Sequence, residues 1–168
     1  MKKLTLFALA TILTLNVTFA ADGGKKKADD TDKVPYIVLH HFEYEFYNAK
    51  DVTWTVSDTF EKVDFLVDNV KMTAFYDSNG KYIGHSEAVT YNTLPSGAKK
   101  QIAKEYEGYH VRELYRFQYA ELPTSALTRL ITTSGTDDEV YLLSLYKADK
   151  VATLRITPTS AVELISKN

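Results

Sequence analysis

The sequence predicts an α+β protein made of two consecutive helix-then-antiparallel-sheet units, with the helices packed on one face of the sheet. Three observations carry this reading. Apolar residues recur at helical spacing in two separate places, each place is followed by segments in which apolar and polar residues alternate, and Gly, Asn and Asp cluster between those segments.

The chain opens with a basic start (Met1, Lys2, Lys3), an apolar stretch from Leu4 to about Val17, and Thr18-Phe19-Ala20, which places small residues at −3 and −1 of a cut after Ala20. This is the three-part pattern of a secretory signal peptide, residues 1–20, and its apolar stretch is short for a membrane-spanning helix. A periplasmic or secreted protein without stable membrane insertion is expected. Residues 21–33 (ADGGKKKADDTDK) are dominated by glycine and charges of both signs, the composition of a disordered linker. The domain proper then runs over 34–168, with possible subrepeats 36–91 and 94–166.

In the first unit Leu39, Phe42, Phe46 and Ala49 stack on one face of a helix from about Tyr36 to Ala49. Val52, Trp54 and Val56 then alternate with Thr53, Thr55 and Ser57, and Val63, Phe65 and Val67 alternate with charged or polar neighbours. Both patterns predict half-buried strands. Val70 to Tyr76 and Lys81 to Glu87 flank Asp77-Ser78-Asn79-Gly80, where Asn-Gly favours positive φ, so this pair is predicted as a hairpin.

The second unit restarts at Leu94-Pro95-Ser96, which opens a helix with Ala98, Ile102 and Tyr106 on one face and Gly108 placed to end it. A long strand follows, with Tyr109, Val111, Tyr115, Phe117 and Tyr119 on one face and His110, Arg112, Arg116 and Gln118 on the other. Glu121 to Thr136 reads as irregular. Val140 to Tyr146, Val151 to Thr157 and Ala161 to Ile165 read as strands, the first two joined by a tight turn at Ala148-Asp149. Phe46 and Tyr106 occupy equivalent places in the two units, which could form two small sheets joined edge to edge or one sheet carrying both helices on one face.

Composition narrows the function. The chain has no cysteine, which excludes disulfides, a thiol nucleophile and a Cys-based zinc site, and its formal charge of −2 favours neither nucleic acid nor an anionic membrane. Nucleophile-elbow, phosphate-loop and zinc-helix motifs are lacking, so no catalytic residue and no cofactor is assigned. His41 and Glu45 stand one helical turn apart, but two ligands make a weak metal site; Asp77-Ser78-Asn79-Gly80 lacks the glutamate that closes a calcium loop. Tyrosine stands out, with 12 residues against a single tryptophan. It suits recognition surfaces because it gives a large contact area at low entropic cost, and it also suits strands whose rings cover the edge of a core.

The run Phe42-x-x-x-Phe46-x-x-Ala49-x-x-Val52-x-Trp54, then Ala74-Phe75-Tyr76-Asp77-x-x-Gly80, then Leu94-Pro95 before a helix ending Tyr106-x-Gly108-Tyr109, resembles the β-lactamase-inhibitor-like, PepSY-like domains of bacterial secreted proteins. The resemblance covers roughly Val38 to Tyr119 and rests on packing and turn residues. It implies a small periplasmic α+β module related to protease-regulating domains and to protein inhibitors that plug an enzyme's cleft. Such inhibitors can use an acidic residue on a hairpin, which points to Asp77.

The expectation is therefore a non-enzymatic binding module for an unidentified periplasmic protein, inhibiting or regulating an envelope hydrolase or protease. Its contact residues would be Asp77, Asn79, Tyr82, Arg112, Tyr115 and Arg116, with no metal. The alternative is a carrier or sensor for a metal, sugar or peptide, with Trp54 and tyrosines as walls between sheet and helix. An exposed aromatic patch would favour the first, and an enclosed cavity with convergent polar groups the second.

Overall fold

A computed structural model describes residues 29–120 and 139–168. The expected signal peptide, residues 21–28 of the expected linker and the whole irregular piece from 121 to 136 lie outside the described residues. Helix α1 (Tyr36–Glu45) leads into strands β1 (Lys50–Val56), β2 (Phe60–Val67), β3 (Val70–Asp77) and β4 (Tyr82–Ala88). Helix α2 (Ser96–Glu105) then leads into β5 (His110–Tyr119), β6 (Glu139–Lys147), β7 (Lys150–Ile156) and β8 (Val162–Lys167). No helix of the described residues is long and apolar enough to cross a membrane.

All eight strands form one antiparallel sheet in the order β1 to β8, so the single-sheet alternative is the one observed. Short local connections explain the order, because antiparallel neighbours need only a tight turn. Asp68 (φ 49°) and Asn69 (φ 64°) both take positive φ between the paired Val67 and Val70, the conformation a two-residue hairpin turn demands. At Asp77-Ser78-Asn79-Gly80 only Gly80 (φ 77°) has positive φ; the loop is closed instead by Gly80 N–H to Asp77 C=O at 2.8 Å.

Residues directly paired across antiparallel strands share a face. The row Phe65, Met72, Glu87, Arg116, Tyr141, Ile156 therefore crosses the sheet on one side. Phe65 packs with α1 and Ile156 with α2, so both helices cover that face. Each helix is seated by a four-residue spacing: Val34, Val38, Phe42 and Phe46 in one core, Leu94, Ala98, Ile102 and Tyr106 in the other. Phe42 meets the rings of Phe46, Trp54 and Phe65 at centroid distances of 5.4, 5.3 and 5.0 Å. Offset and edge contacts of this kind add about 0.5–1.5 kcal/mol per pair beyond burial.

Three expectations are corrected. The first helix stops at Glu45 rather than Ala49, because Phe46 leaves helical geometry (φ −121°, ψ 51°) to bury its ring against Phe65. In β5 a bulge between Val111 and Glu113 shifts the alternation, so Val111 lies opposite Leu145 on the helix side while Tyr115, Phe117 and Tyr119 point the other way with Leu142 and Val140. Finally, the charged positions of β2 are not solvated: Lys62 and Asp64 are each 3 % exposed and paired at 3.1 Å, and Thr73 donates to Asp64 at 2.8 Å.

Candidate functional site

The two helices cover the same face of the sheet but present unlike outer faces. On α2 the outward positions are Lys100 and Lys104, both exposed, with Glu107 just beyond the helix. At the matching positions of α1 stand His40, Tyr44 and Tyr47, preceded by Tyr36 and flanked by Ile37. Tyr44 is 79 % exposed, Tyr47 86 %, Tyr36 78 % and Ile37 65 %, which makes this the main concentration of exposed large apolar side chains among the described residues. A surface helix ordinarily turns charge to water, as α2 does. The outer face of α1 is instead an aromatic stripe, and its charges are acidic: Glu43 on one side, Glu45 on the other, with no Lys or Arg in the helix.

Beside the stripe, between α1 and β1, lies a cleft of about 380 Å³. Leu39, Phe42, Phe46, Ala49, Val52 and Trp54 give it apolar walls, and Glu43, Tyr47 and Thr31 are the polar members of its lining. Val52 owes its partial exposure to a register shift between Lys50 and Thr53, where Asp51 takes φ 51°. The described N-terminal residues close the adjoining edge. Asp29, Asp30 and the short 3₁₀ turn Thr31–Lys33 dock on β1, correcting the expectation that the linker runs free to Lys33. Asp30 N–H donates to Trp54 C=O at 3.2 Å, and the Asp29 and Asp30 carboxylates accept the N–H groups of Trp54 (3.0 Å) and Val56 (3.3 Å). These bonds satisfy groups that an edge strand would leave open. They also hold Asp29 below the ordinary carboxylate range, the Trp54 amide being the main cause.

Between the helices the sheet carries a polar seam. The Tyr82 hydroxyl lies 2.8 Å from His85 Nδ1, and the Tyr76 hydroxyl 3.2 Å from His41 Nδ1. Burial pushes Tyr76 and Tyr82 well above the ordinary phenol range. Burial also depresses His85; Glu87 and Glu45 oppose that shift, and Arg116 adds to it. Buried, hydrogen-bonded groups of this kind cover the flank of the first core, to which Tyr76 and Tyr82 belong, rather than offer a reactive centre.

The residues singled out from sequence do not converge. Asp77 is drawn into its own hairpin, its carboxylate accepting the N–H groups of Asn79 (2.9 Å) and Lys81 (3.0 Å), while Asn79 is exposed at the tip. Tyr82 packs against His41 and Tyr76 in the seam. Arg116 lies on the helix side, ion-paired with Glu87 and 4.0 Å from Glu139. Tyr115 faces the opposite side, where burial first, with Glu113 and Asp64 adding, pushes its hydroxyl up to about 12. Arg112 is exposed at the β5 bulge. His41 turns its ring toward Tyr76 and Tyr82 while Glu45 stays at the surface, and among the described residues no group of three or more His, Asp or Glu is placed to hold a metal. The residues missed were Tyr36, Ile37, His40 and Tyr47 as a set. Their signal was present: unlike the second helix, the first is apolar on both faces.

No known family profile matches the sequence, and no curated protein matches it. Solved structures do share its fold. A DUF2874 family protein from Bacteroides uniformis superposes with a TM-score of 0.61 at 17 % identity, covering 80 % of this chain and 88 % of that one. A BLIP-like protein from Bacteroides fragilis gives 0.58 at 13 % identity over 83 % and 91 % of the two chains. A protein named as a candidate periplasmic protein from Bacteroides eggerthii gives 0.62 at 12 % identity over 80 % and 88 %. The chain thus has a BLIP-like α+β fold, in agreement at that level with the resemblance carried by its packing residues.

Proposed function

We propose that this chain, with the fold it shares with BLIP-like proteins, is a non-catalytic binding module of the periplasm or cell exterior that engages a protein partner through the outer face of α1. The observation that carries the reading is the contrast between Tyr44 on α1 with Tyr47 just beyond it and, at the matching places, Lys104 on α2 with Glu107 just beyond it. Tyrosine is enriched where one protein grips another, because its ring fills a pocket while its hydroxyl keeps a hydrogen bond. The periplasmic setting is supported by the signal-peptide pattern and by the name of one fold neighbour. The BLIP-like name of another favours an enzyme as partner, an envelope hydrolase or protease held by contact. The sixfold set of hairpin and strand residues read from sequence belongs at the periphery of this scheme, with Asn79 and Arg112 as its exposed members. The equivalent spacing of the two cores supports two consecutive helix-then-sheet units as the origin of the fold.

A free small ligand fits less well, since the cleft is open along one side and its described lining has one charged side chain, Glu43. The test uses the chain from Ala21 to Asn168 as bait in periplasmic extract of the producing cell, beside a variant carrying Tyr44→Ala and Tyr47→Ala with an unchanged thermal melt. A protein retained by the first and lost by the second supports the reading. Equal retention by both, or none by either, contradicts it.

A further inference from the structure

Building on the protein-binding reading, we infer that the cleft between α1 and β1 is a pocket for a cationic side chain, arginine or lysine, presented by the partner beside the tyrosine stripe. The lining matches such a side chain in kind. Leu39, Phe42, Phe46, Ala49 and Val52 offer apolar surface to a methylene stem, and Glu43 and Tyr47, the exposed acid and ring of the same lining, would receive the charged head. Long basic side chains are the ones that need both an apolar channel and an anionic, aromatic rim.

Charge complementarity selects the same occupant. Glu43 is the one charged side chain in the described lining of the cleft, and Asp29, Asp30 and Asp32 belong to the N-terminal stretch that docks on β1 beside it. Lys33 is bound to Asp30 at 2.6 Å, and α1 has no Lys or Arg to answer Glu43. An anionic lipid surface or an acidic peptide would be repelled here, whereas a basic segment is drawn in before contact. A volume of about 380 Å³ is ample for one long side chain, and Tyr44, 79 % exposed on the same helix, would cover the backbone of the segment that delivers it.

The experiment exploits the chain's single tryptophan, Trp54, which lines the cleft and gives one indole N–H resonance. End-blocked pentapeptides Ala-Ala-X-Ala-Ala, with X arginine, lysine, citrulline, norleucine or glutamate, are titrated into the labelled full-length mature chain. The arginine and lysine peptides should shift the Trp54 indole and the Leu39 methyl signals saturably, about tenfold more tightly than the citrulline and norleucine peptides. Glu43→Gln, an exposed substitution, should abolish that margin with the rest of the spectrum unchanged, and Glu43→Lys should transfer the preference to the glutamate peptide. Equal binding of norleucine and arginine would reduce the cleft to an apolar dent and overturn the assignment. So would no shift with any peptide. Failure here alongside partner retention that still depends on Tyr44 and Tyr47 removes the pocket and leaves the helix-face reading; loss of both removes the reading itself.

Discussion

The Asp29 carboxylate accepts the backbone N–H of Trp54 at 3.0 Å, which places the described N-terminal residues against the edge of the sheet beside the cleft. The bond is charge-assisted but largely exposed, so after allowance for solvent screening Asp29→Ala should cost about 1 kcal/mol. Because the folded-state value of Asp29 lies below its unfolded 3.8, this contribution is present above that pH and is lost as pH falls through the folded value. Thermal melts of wild type and variant should therefore differ at neutral pH and converge in strong acid. The variant should also self-associate more readily, since an edge amide has been uncapped.

Phe42 and Tyr44 stand two residues apart on α1 but on opposite sides of it. Phe42 is 4 % exposed among the rings of three aromatic neighbours and aliphatic walls, so Phe42→Ala should cost about 3–5 kcal/mol. Tyr44→Ala should change stability by no more than about 0.5 kcal/mol. Denaturant unfolding of the two variants checks both; a large loss for Tyr44→Ala would show that its ring serves the fold.

His85 sits with Tyr82 at 2.8 Å, within the fields of Glu45, Glu87 and Arg116 and the side chain of Gln118. Its folded-state value is depressed, so the unfolded chain binds the proton first as pH falls, and stability decreases from about the unfolded value of 6.5 downward. A variant with His85→Gln should show a flatter dependence of Tm on pH across that range. Parallel profiles for the two proteins would contradict this.

Gly84 takes φ 150° in β4, and a Cβ there would stand 2.2 Å from the backbone carbonyl of Gln118 in β5. The contact lies at the pairing of Gly84 with Tyr119, in the strand pair that joins the two halves of the sheet. Gly84→Ala should destabilise by about 1–3 kcal/mol. Amide exchange should rise first along β4 and β5 rather than in β7.

Much of the fold was legible because period and punctuation agree. Val52 to Val56 alternates, Asp77 to Gly80 reads as a turn, and Leu94-Pro95 announces α2. What was hidden depends on contacts distant in sequence. The β5 bulge is one inserted residue, invisible in the alternation yet enough to send Arg116 and Tyr115 to the faces where Glu87 and Leu142 await them. Lys62 and Asp64 read as solvated because a charged residue usually is, and only the sheet brings Thr73 to Asp64. The α1 stripe was readable in principle. In composition its tyrosines are merged with the rest of the chain's 12, and it is the exposed face of α1 set beside the charged face of α2 that separates them.

The central claim is that the outer face of α1, and not that of α2, meets a partner. A photoreactive phenylalanine analogue placed at Tyr44 or at Lys100, in the full chain expressed in the producing cell and irradiated there, tests it directly. The account predicts a discrete crosslinked adduct from position 44 and none from position 100, with mass spectrometry telling a foreign protein from a second copy of this chain. Adducts of equal yield from both positions, or none from position 44, would contradict it.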